Sequence, residues 1–560
     1  MGNIRLQALA IAAAGMLAGT AWAQTTIVTA ARIRTMDPER PVARAMAYDA
    51  QGRILAVGTQ EDLARRWPRA KRLDFGDATL IPGLIDAHGH VSGQGALLTQ
   101  ANLVGTRSKE EIIERLREFG KTLGEGEWLV GRGWDQNDWP EKEFPTAADL
   151  DGAFPDRPVW LYRIDGHAAW ANSAAMRAVK RDLTGDRQPE GGRILRDAQG
   201  RPTGVFIDLA ENLVEEVRPP LDEAGAERLL LAGMQEAVRH GLTGVHDAGV
   251  SLAELRLYQR LADAGRLPLR ITAMADGDGA TLDHLCASGP VGHPSGRLRM
   301  RSVKLYADGA LGSRGAALLE PYSDDHGNHG LLLTQPDELR RIVRKAKACG
   351  VQVATHAIGD RGNREVLDAY AEVLGEDAAG DHRWRIEHAQ VLAPEDLPRL
   401  AELGVIASMQ PTHATSDMPW AEDRVGPRRI TGAYAWRRLR DSGARLALGS
   451  DFPVEAVDPR LGLYAAVTRA DADGQPAGGW MPQEKLTAFE ALRGFTLDAA
   501  YAGFAEDEVG SLEPGKRADF VVLADDPLAV AGAALRELRV LATYVDGRPV
   551  YEAGGGAGAR

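Results

Sequence analysis

The sequence predicts an α/β fold: a barrel of eight parallel strands, enlarged by an inserted subdomain after strand 1 and by a small β-sandwich formed from both chain ends. Short β runs alternate with helical patterns along the middle of the chain, which is typical of a parallel sheet with crossover helices. Counting the run that ends at His90, there are eight such units, the number that closes a (β/α)8 (TIM) barrel. Both chain ends instead show β runs separated by turns, such as Asp546-Gly547.

The barrel is predicted to span residues 81–504. After the first strand, the β runs are Thr243–Asp247, Pro268–Ala275, Arg301–Tyr306, Val351–His356, Trp384–His388, Val405–Gln410 and Arg445–Asp451. The helical patterns between them include Glu223–His240, Leu252–Ala264, Gln335–Cys349, Arg364–Leu374 and Leu461–Ala470.

An excess of about 100 residues lies between the first two units, near residues 125–220, and it is rich in Trp, Gly and Asp. This excess is too long for a structureless loop, so we predict a subdomain near the barrel mouth. The β-sandwich combines residues 24–80 with residues 505–553. The glycine-rich tail, residues 554–560, is expected to be disordered.

The first 23 residues have the pattern of a secretory signal. Arg5 precedes an apolar run that ends in Ala21-Trp22-Ala23, with small residues at the two positions that a signal peptidase reads. The alternative is an uncleaved anchor, since the run approaches the ~20 residues that cross a bilayer. Because the run is rich in Ala and Gly, we expect cleavage, export to the periplasm or medium, and no stable membrane association afterwards.

Charge and cysteine content exclude several classes of protein. The chain has 66 Lys plus Arg against 79 Asp plus Glu, a formal net charge of −13. This acidic balance argues against a nucleic-acid partner, which requires a basic face. Its two cysteines, Cys286 and Cys349, exclude a disulfide scaffold and a thiolate zinc finger, and they are either free or paired. The expected partner is a small-molecule substrate, and the oligomeric state is not predicted.

Residues that bind metals stand where predicted strands end, and the active site of such a barrel lies at the carboxyl ends of its strands. His88 and His90 end the first strand, and the two-residue period of a strand turns both side chains to one side. Three other strands end in His356, His388 and Asp451. Imidazoles and a carboxylate gathered at one barrel mouth suit Zn²⁺ or a similar divalent ion.

Lys304 lies near the end of the fourth strand among apolar neighbours. A buried ammonium is costly unless it is paired or modified. The simplest interpretation is an ion pair with Asp308 or Asp451, and spacing alone does not decide between pairing and modification.

Eight segments of the chain form a recognisable set: LIPGLIDAHGH (Leu80–His90), LYRIDGHAAWANS (Leu161–Ser173), VKLYADGALGSR (Val303–Arg314), THAIGD (Thr355–Asp360), IEHAQ (Ile386–Gln390), SMQPTH (Ser408–His413), LGSDFPV (Leu448–Val454) and GSLEPGKRADFVVL (Gly510–Leu523). Together they resemble the amidohydrolase superfamily of metal-dependent hydrolases. Within it, the chain looks like the YtcJ-like group, which includes N-substituted formamide deformylases. The resemblance runs from about Thr25 to Glu552.

The resemblance implies a barrel with a terminal β-sandwich and a hydrolase acting on a carbon–nitrogen bond of an amide or formamide-like substrate through metal-activated hydroxide. It implies that Lys304 is carboxylated and bridges two ions. His88 and His90 would then hold one ion, with Asp451 also binding it. His356 and His388 would hold the second ion. As the catalytic residue, Asp451 would take a proton from water and pass it to the departing nitrogen.

Three alternatives remain open on the sequence alone. In a mononuclear site His88, His90, His356 and Asp451 hold one ion, His388 contacts substrate or hydroxide, and Lys304 stays an ammonium. The activated water could instead attack a lactone, an ester or an aminated ring, because the motif specifies how water is activated and not what it attacks. A binding protein that has lost catalysis is the third alternative.

Six further residues are expected to line the barrel mouth and contact substrate: His167, Asn172, Asp308, Arg314, Gln410 and His413. For Asn172, Asp308 and Arg314 the alternative is that they hydrogen-bond loops into place. The Trp residues of the insert form either a substrate pocket or the insert's own core: Trp128, Trp134, Trp139, Trp160 and Trp170.

Overall fold

The computed structural model describes residues 25–530 and 532–554. The predicted signal peptide and nearly all of the predicted tail lie outside the described residues. Within the described part of the chain, no helix combines the length and apolar character needed to cross a membrane.

The strands in chain order are β1 Thr26–Arg34, β2 Val42–Tyr48, β3 Ile54–Gly58, β4 Lys71–Asp74, β5 Thr79–Pro82, β6 Leu84–Gly89, β7 Ala101–Asn102, β8 Leu129–Trp134, β9 Val159–Arg163, β10 Ala168–Ala171, β11 Gly192–Arg196, β12 Pro202–Asp208, β13 Leu242–Val250, β14 Arg270–Asp276, β15 Val291–Gly292, β16 Leu298–Tyr306, β17 Gln352–Ala357, β18 Arg385–His388, β19 Ile406–Met409, β20 Leu446–Leu448, β21 Phe520–Leu523, β22 Val540–Val545 and β23 Arg548–Glu552.

The helices in chain order are α1 Gln60–Arg66, α2 Val91–Thr99, α3 Lys109–Gly120, α4 Ala147–Asp151, α5 Ser173–Ala178, α6 Asn212–Glu215, α7 Glu223–Arg239, α8 Leu252–Asp263, α9 Ala280–Ser288, α10 Pro336–Ala348, α11 Asp360–Leu374, α12 Leu397–Glu402, α13 Pro411–Asp417, α14 Ala421–Arg429, α15 Trp436–Asp441, α16 Pro459–Thr468, α17 Ala488–Gly494 and α18 Leu497–Ala502.

Eight parallel strands form the barrel sheet in the order β20-β19-β18-β17-β16-β14-β13-β6, with β15 as an antiparallel addition to β16. Strands β6, β17 and β18 are buried along their whole length, as expected for a sheet covered on both faces. The segment after β20 brings the sheet back to β6. There the Asp451 amide donates to the His88 carbonyl and the His90 amide to the Phe452 carbonyl, both over 2.7 Å. The predicted eight-stranded barrel is confirmed.

Helices follow the barrel strands because their sequences combine end signals with one apolar face. Helix α8 begins with a capping box, in which Ser251 and Glu254 exchange side-chain and backbone hydrogen bonds. Helix α10 begins with Pro336, which suits the first helical turn. Cys286 of α9 and Cys349, which ends α10, form a disulfide, so the two cysteines are paired.

Both chain ends contribute to a second sheet, ordered β23-β22-β21-β5-β1-β2-β3, with β4 also pairing with β1. The N-terminal and C-terminal parts meet where β5 pairs antiparallel with β21, and Leu80 lies opposite Val522. Residues 101–208 contain the strands of a third sheet, ordered β11-β12-β10-β9-β8-β7. The domain boundaries, the sandwich form of the terminal sheet and the status of the insert as a subdomain stay predictions.

Candidate metal centre

Three of the predicted metal ligands converge at the carboxyl ends of the barrel strands. One side-chain ligand atom each from His88, His388 and Asp451 lies within 4.8 Å of the others. All three residues are buried. His90 joins this group, because its Nε2 lies 3.2 Å from the Asp451 Oδ1 atom.

Each of three histidines is oriented by a hydrogen bond from its Nδ1 atom. His88 donates to Glu387 over 2.5 Å, His90 to the Ala248 carbonyl over 2.9 Å, and His388 to the Gln410 Oε1 atom over 2.8 Å. With the proton on Nδ1, each Nε2 atom keeps its lone pair. This is the arrangement in which histidines bind metal ions.

Asp451 has the position and the free oxygen that a ligand requires. Its Oδ1 atom is buried without a hydrogen-bond partner, although it lies 3.7 Å from His88 Nε2. Burial alone would raise the pKa of this carboxyl group, but the close approach of His90, followed by the His88 and His388 imidazoles, lowers it well below its usual value. The residue has a left-handed backbone, with φ of 62°, which the closing contacts to β6 hold in place.

The imidazoles of His88, His356 and His388 favour the neutral form. Burial, followed by the charge of Lys304, lowers the pKa of His88 to about 4. Burial also lowers the pKa values of His356 and His388 well below the usual range. Neutral nitrogens and an ionised carboxylate with an unbonded oxygen form a donor set that fits Zn²⁺ or a similar divalent ion.

Glu387 and Arg385 support this centre from inside the barrel. The Arg385 guanidinium donates to both Glu387 oxygens, to the Ala87 carbonyl and to Ser408. Burial would raise the pKa of Glu387, but Arg385 and His88 lower it below its usual range. A fixed carboxylate therefore holds the His88 ring.

Lys304 is 1% exposed, with its Nζ atom 3.3 Å from His88 Nε2 and 4.4 Å from the centre of the Tyr306 ring. Among the described residues, no carboxylate oxygen lies within 4.0 Å of this nitrogen. The ion pairs with Asp308 or Asp451 that the sequence allowed are therefore absent. A buried ammonium without a counter-ion is costly.

His356 lies beside the converging group. Its ring centre is 4.6 Å from that of His388, and its Nε2 atom is 3.4 Å from the Gly309 carbonyl. The structure thus brings all six predicted ligands to the same end of the barrel, and one ligand atom from each of His88, His388 and Asp451 lies within 4.8 Å of the others.

A cavity of about 1030 Å³ opens onto this centre. Five of the predicted ligands reach its wall, and the other walls come from the inserted segment and from the loops that follow the later barrel strands. Of the six residues predicted to contact substrate, His167 and His413 line this cavity. The His413 Nε2 atom lies 3.7 Å from the Asp451 Oδ2 atom.

His167 is held by Asp208, which the sequence did not single out. The His167 Nδ1 atom donates to the Asp208 Oδ1 atom over 2.6 Å, and the His167 ring centre lies 5.0 Å from that of His356. Burial would lower the pKa of His167, but the hydrogen bond and charge of Asp208 raise it. An oriented imidazole therefore lies beside His356 in the cavity wall.

The remaining four residues predicted to contact substrate do not line this cavity. The Asn172 amide bonds only backbone groups of residues 154, 157, 159 and 175, and Asp308 accepts three backbone amides. Arg314 pairs with Asp324, and Gln410 holds His388. These positions favour the loop-holding interpretation over direct contact with substrate.

The tryptophans of the insert pack into its own cores. Trp134, Trp139, Trp160 and Trp170 are 0–1% exposed, and Trp128 packs beside them. None of these five lines the cavity. The core interpretation is therefore the one that the structure supports.

Sequence reasoning missed Glu387, Asp208 and Arg132. Glu387 stands directly before His388 in the segment IEHAQ, so its place in the site follows from the strand that carries both residues. Arg132 of β8 lines the cavity although it lies far from every recognised segment. No sequence signal marks it, because its placement depends on how the insert packs on the barrel.

The chain is similar to known hydrolases over most of its length. The model of the Amidohydrolase family matches residues 72–551. The putative amidohydrolase YtcJ of Bacillus subtilis is 35% identical over 518 residues, covering 90% of this chain and 95% of that protein. An N-substituted formamide deformylase of Arthrobacter pascens is 32% identical over 543 residues, covering 93% and 97%. A solved structure of an uncharacterized metal-dependent hydrolase from Pyrococcus horikoshii has a TM-score of 0.73 and 28% identity, covering 90% and 98%.

Proposed function

Because the chain belongs to the amidohydrolase family, we propose that it hydrolyses a carbon–nitrogen bond in an amide or formamide-like small molecule. The observation that carries this proposal is the buried, unbonded Asp451 Oδ1 atom among neutral histidines beside the cavity. The name of the Arthrobacter pascens relative makes N-substituted formamides the first substrates to test.

One or two divalent ions, with Zn²⁺ the first candidate, fit the donor set. His88, His90 and Asp451 would hold one ion, and His356 and His388 the other. A carboxylated Lys304 would join the two. Bound ions would lower the pKa of water and polarise a carbonyl group. The absence of a carboxylate beside Lys304 supports the carboxylated form over a free ammonium.

The side chains of this chain would move the proton and orient the substrate. Asp451 accepts a proton from the attacking water and delivers it to the departing nitrogen, acting as general base and then as general acid. His167, fixed by Asp208, and His413 face the same space and are placed to bind the carbonyl or the leaving group.

We also propose that the protein is exported. The signal pattern of residues 1–23 supports this, and the Cys286–Cys349 disulfide is typical of oxidising compartments. In the same proposal the insert is a subdomain over the barrel mouth and the terminal sheet is a β-sandwich. Cell fractionation and the N-terminal sequence of the mature protein test export, and a chain retained in the cytoplasm with Met1 intact would refute it.

The central experiment combines metal analysis with a substrate panel. Metal-loaded protein is assayed against N-formyl amines, N-acyl amino acids, cyclic amides, esters and lactones. Asp451→Asn should keep nearly all of the metal and lose most turnover, whereas Asp396→Asn, a buried carboxylate paired with arginines elsewhere, should keep the activity. Full activity of Asp451→Asn would exclude the proposed role, and hydrolysis of esters or lactones alone would replace the substrate class.

The same sample distinguishes the two metal arrangements. Two ions per chain and an increase in the mass of the Lys304 peptide by one CO₂ support the bridged pair. One ion per chain with an unmodified Lys304 supports the mononuclear site.

A further inference from the structure

Arg132 is a cation in the wall of the cavity, and among the described residues its guanidinium forms no ion pair within 4.0 Å. It lies on β8 of the insert, and its side chain lines the same space as His167, Lys304 and Asp451. We propose that Arg132 binds a carboxylate group of the substrate, so that the preferred substrates are amides that carry an acid near the scissile bond. This inference rests on the proposed function and adds a substrate class to it.

Most of the hydrogen-bonding capacity of Arg132 is unused. A guanidinium has five N–H donors, and here one Nη2 donor reaches the Ile164 carbonyl over 3.0 Å. The Nε atom is buried and has no hydrogen-bond partner. Among the described residues, no carboxylate oxygen lies within 4.0 Å of the guanidinium nitrogens. An arginine that protein groups leave in this state is ready to form a paired bond with a planar anion.

The acidic residues of the neighbouring insert segments do not contact Arg132, because two of them bond to other partners. Asp165 pairs with Arg163 over 2.5 Å, and Asp208 is bonded to His167. Burial and neighbouring carboxylates raise the pKa of Glu211 well above its usual value, which favours its neutral form. The carboxylates of Asp165, Asp451 and Glu211 act on Arg132 only from beyond 4.0 Å, so no carboxylate contacts its guanidinium. Arg163, in contrast, also contacts Asp135 and Gln136.

The insert makes room for this guanidinium. Gly166 has φ of 72°, and a Cβ atom at that position would lie 3.1 Å from the Arg132 Nη2 atom and 3.4 Å from Nη1. Gly166 also lines the cavity, between Asp165 and His167. A side chain there would crowd the face of the guanidinium that the cavity reaches.

The cavity wall that contains Arg132 also has apolar surface. Val104 and Leu209 are 43% and 42% exposed and line the same cavity, together with Leu311 and Trp420. A ligand with an acid and an apolar substituent would use both kinds of wall. The chemical class that combines them with the proposed scissile bond is an N-acylated amino acid with an apolar side chain.

The test compares two substrates that differ only in the acid: N-formylleucine, as both enantiomers, and N-formyl-3-methylbutylamine. Formate release by the metal-loaded wild-type enzyme is measured for each. We expect kcat/KM to be about 10- to 100-fold higher for one enantiomer of the acid, the range that charge-assisted hydrogen bonds provide. Equal or faster hydrolysis of the neutral amide would overturn the inference while leaving the proposed function intact.

Variants test whether Arg132 causes the preference for the acidic substrate. Arg132→Met should lower kcat/KM for the acid by the same factor and leave the neutral amide within about threefold. Arg132→Lys should keep part of the preference, because the charge remains and the paired geometry is lost. Arg193→Met removes an exposed arginine of the same sheet and should change neither substrate. Loss of the preference in Arg193→Met as well would contradict the assignment.

Binding decides the inference even if neither compound is hydrolysed. In an Asp451→Asn background, calorimetry should show N-formylleucine binding about 10- to 100-fold more tightly when Arg132 is present than in the Arg132→Met double variant. Equal affinity would overturn the carboxylate site. Absence of hydrolysis across the whole panel with Arg132-dependent binding would instead refute the proposed function and keep the carboxylate site.

Discussion

At the scale of single residues, the histidines of the candidate metal centre depend on the hydrogen bond at Nδ1. This bond orients each ring and leaves the Nε2 atom available for a metal ion. Glu387 is the charged one of the three acceptors, and it is fixed by two bonds from Arg385. Glu387→Gln should lower the affinity for Zn²⁺ by roughly 10- to 100-fold, because a neutral amide is a weaker acceptor for the His88 Nδ1 proton. Competition with a chelator measures the affinity, and circular dichroism checks the fold.

Glu490→Gln is the matched control for this change. Glu490 is another arginine-paired glutamate, bonded to Arg437 and Arg440, and it does not line the cavity. We expect its affinity for Zn²⁺ to equal that of the wild type. If Glu387→Gln behaved in the same way, the orientation of His88 by Glu387 would have no role in metal binding.

The sequence predicted which residues gather at the barrel mouth but little of what surrounds them; their role as metal ligands stays a prediction. His88 and His90 could be assigned from strand period, and Asp451 from its place at a strand end. The backbone at His388 and Asp451, with φ of 74° and 62°, depends on tertiary contacts that no local pattern encodes. Arg132 and Asp208 reach the site because the insert folds over the barrel, so their roles could not be derived from spacing.

At the scale of elements, strands and helices agree closely with the sequence pattern. The helix predicted over Glu223–His240 is Glu223–Arg239, and the strand predicted over Trp384–His388 is Arg385–His388. The amphipathic period of a helix and the residues that begin and end it are local features of the sequence, so the folded structure reproduces the predicted bounds. The last strand is shorter than predicted, Leu446–Leu448 against Arg445–Asp451, because the chain leaves the ladder to close the barrel against β6.

The disulfide between α9 and α10 is expected to stabilise the barrel without affecting catalysis. It closes a chain separation of 63 residues. Replacing both cysteines by serine should lower the free energy of unfolding by up to about 4 kcal/mol, the chain-entropy value for such a loop. Neither cysteine lines the cavity, so kcat/KM should be unchanged.

Thermal unfolding with and without a reductant provides the control. The reductant should lower the midpoint of the wild type toward that of the double variant and leave the variant unaffected. A double variant as stable as the oxidised wild type would show that the bond contributes nothing to stability.

At the scale of the whole molecule, the terminal sheet is joined to the barrel by buried ion pairs. Arg270, at the start of β14, contacts Asp519 and Asp546, and Arg297 also contacts Asp546. Burial would raise the pKa of Asp546, but Arg270 and its neighbours lower it. The two chain ends and the barrel are therefore coupled by charge as well as by apolar packing.

Asp546→Asn should destabilise the protein by roughly 2 kcal/mol at pH 7, since Arg297 loses its carboxylate partner and Arg270 keeps only Asp519. The pKa of Asp546 is lower in the folded state, so its contribution is present above the unfolded pKa of about 3.9 and is lost as pH falls through the folded value. The difference in unfolding midpoint between wild type and variant should thus shrink below about pH 4. A difference that grows on acidification would contradict this assignment.

The most direct test of the metal-centre account is anomalous diffraction from crystals of zinc-loaded, active protein. The account predicts an ion bonded to histidine nitrogens at about 2.0–2.1 Å and to an Asp451 oxygen at about 2.0–2.2 Å, with His88 and His388 in contact with the bound metal. Zinc bound elsewhere in the active protein, with Asp451 and these histidines free of metal, would contradict it.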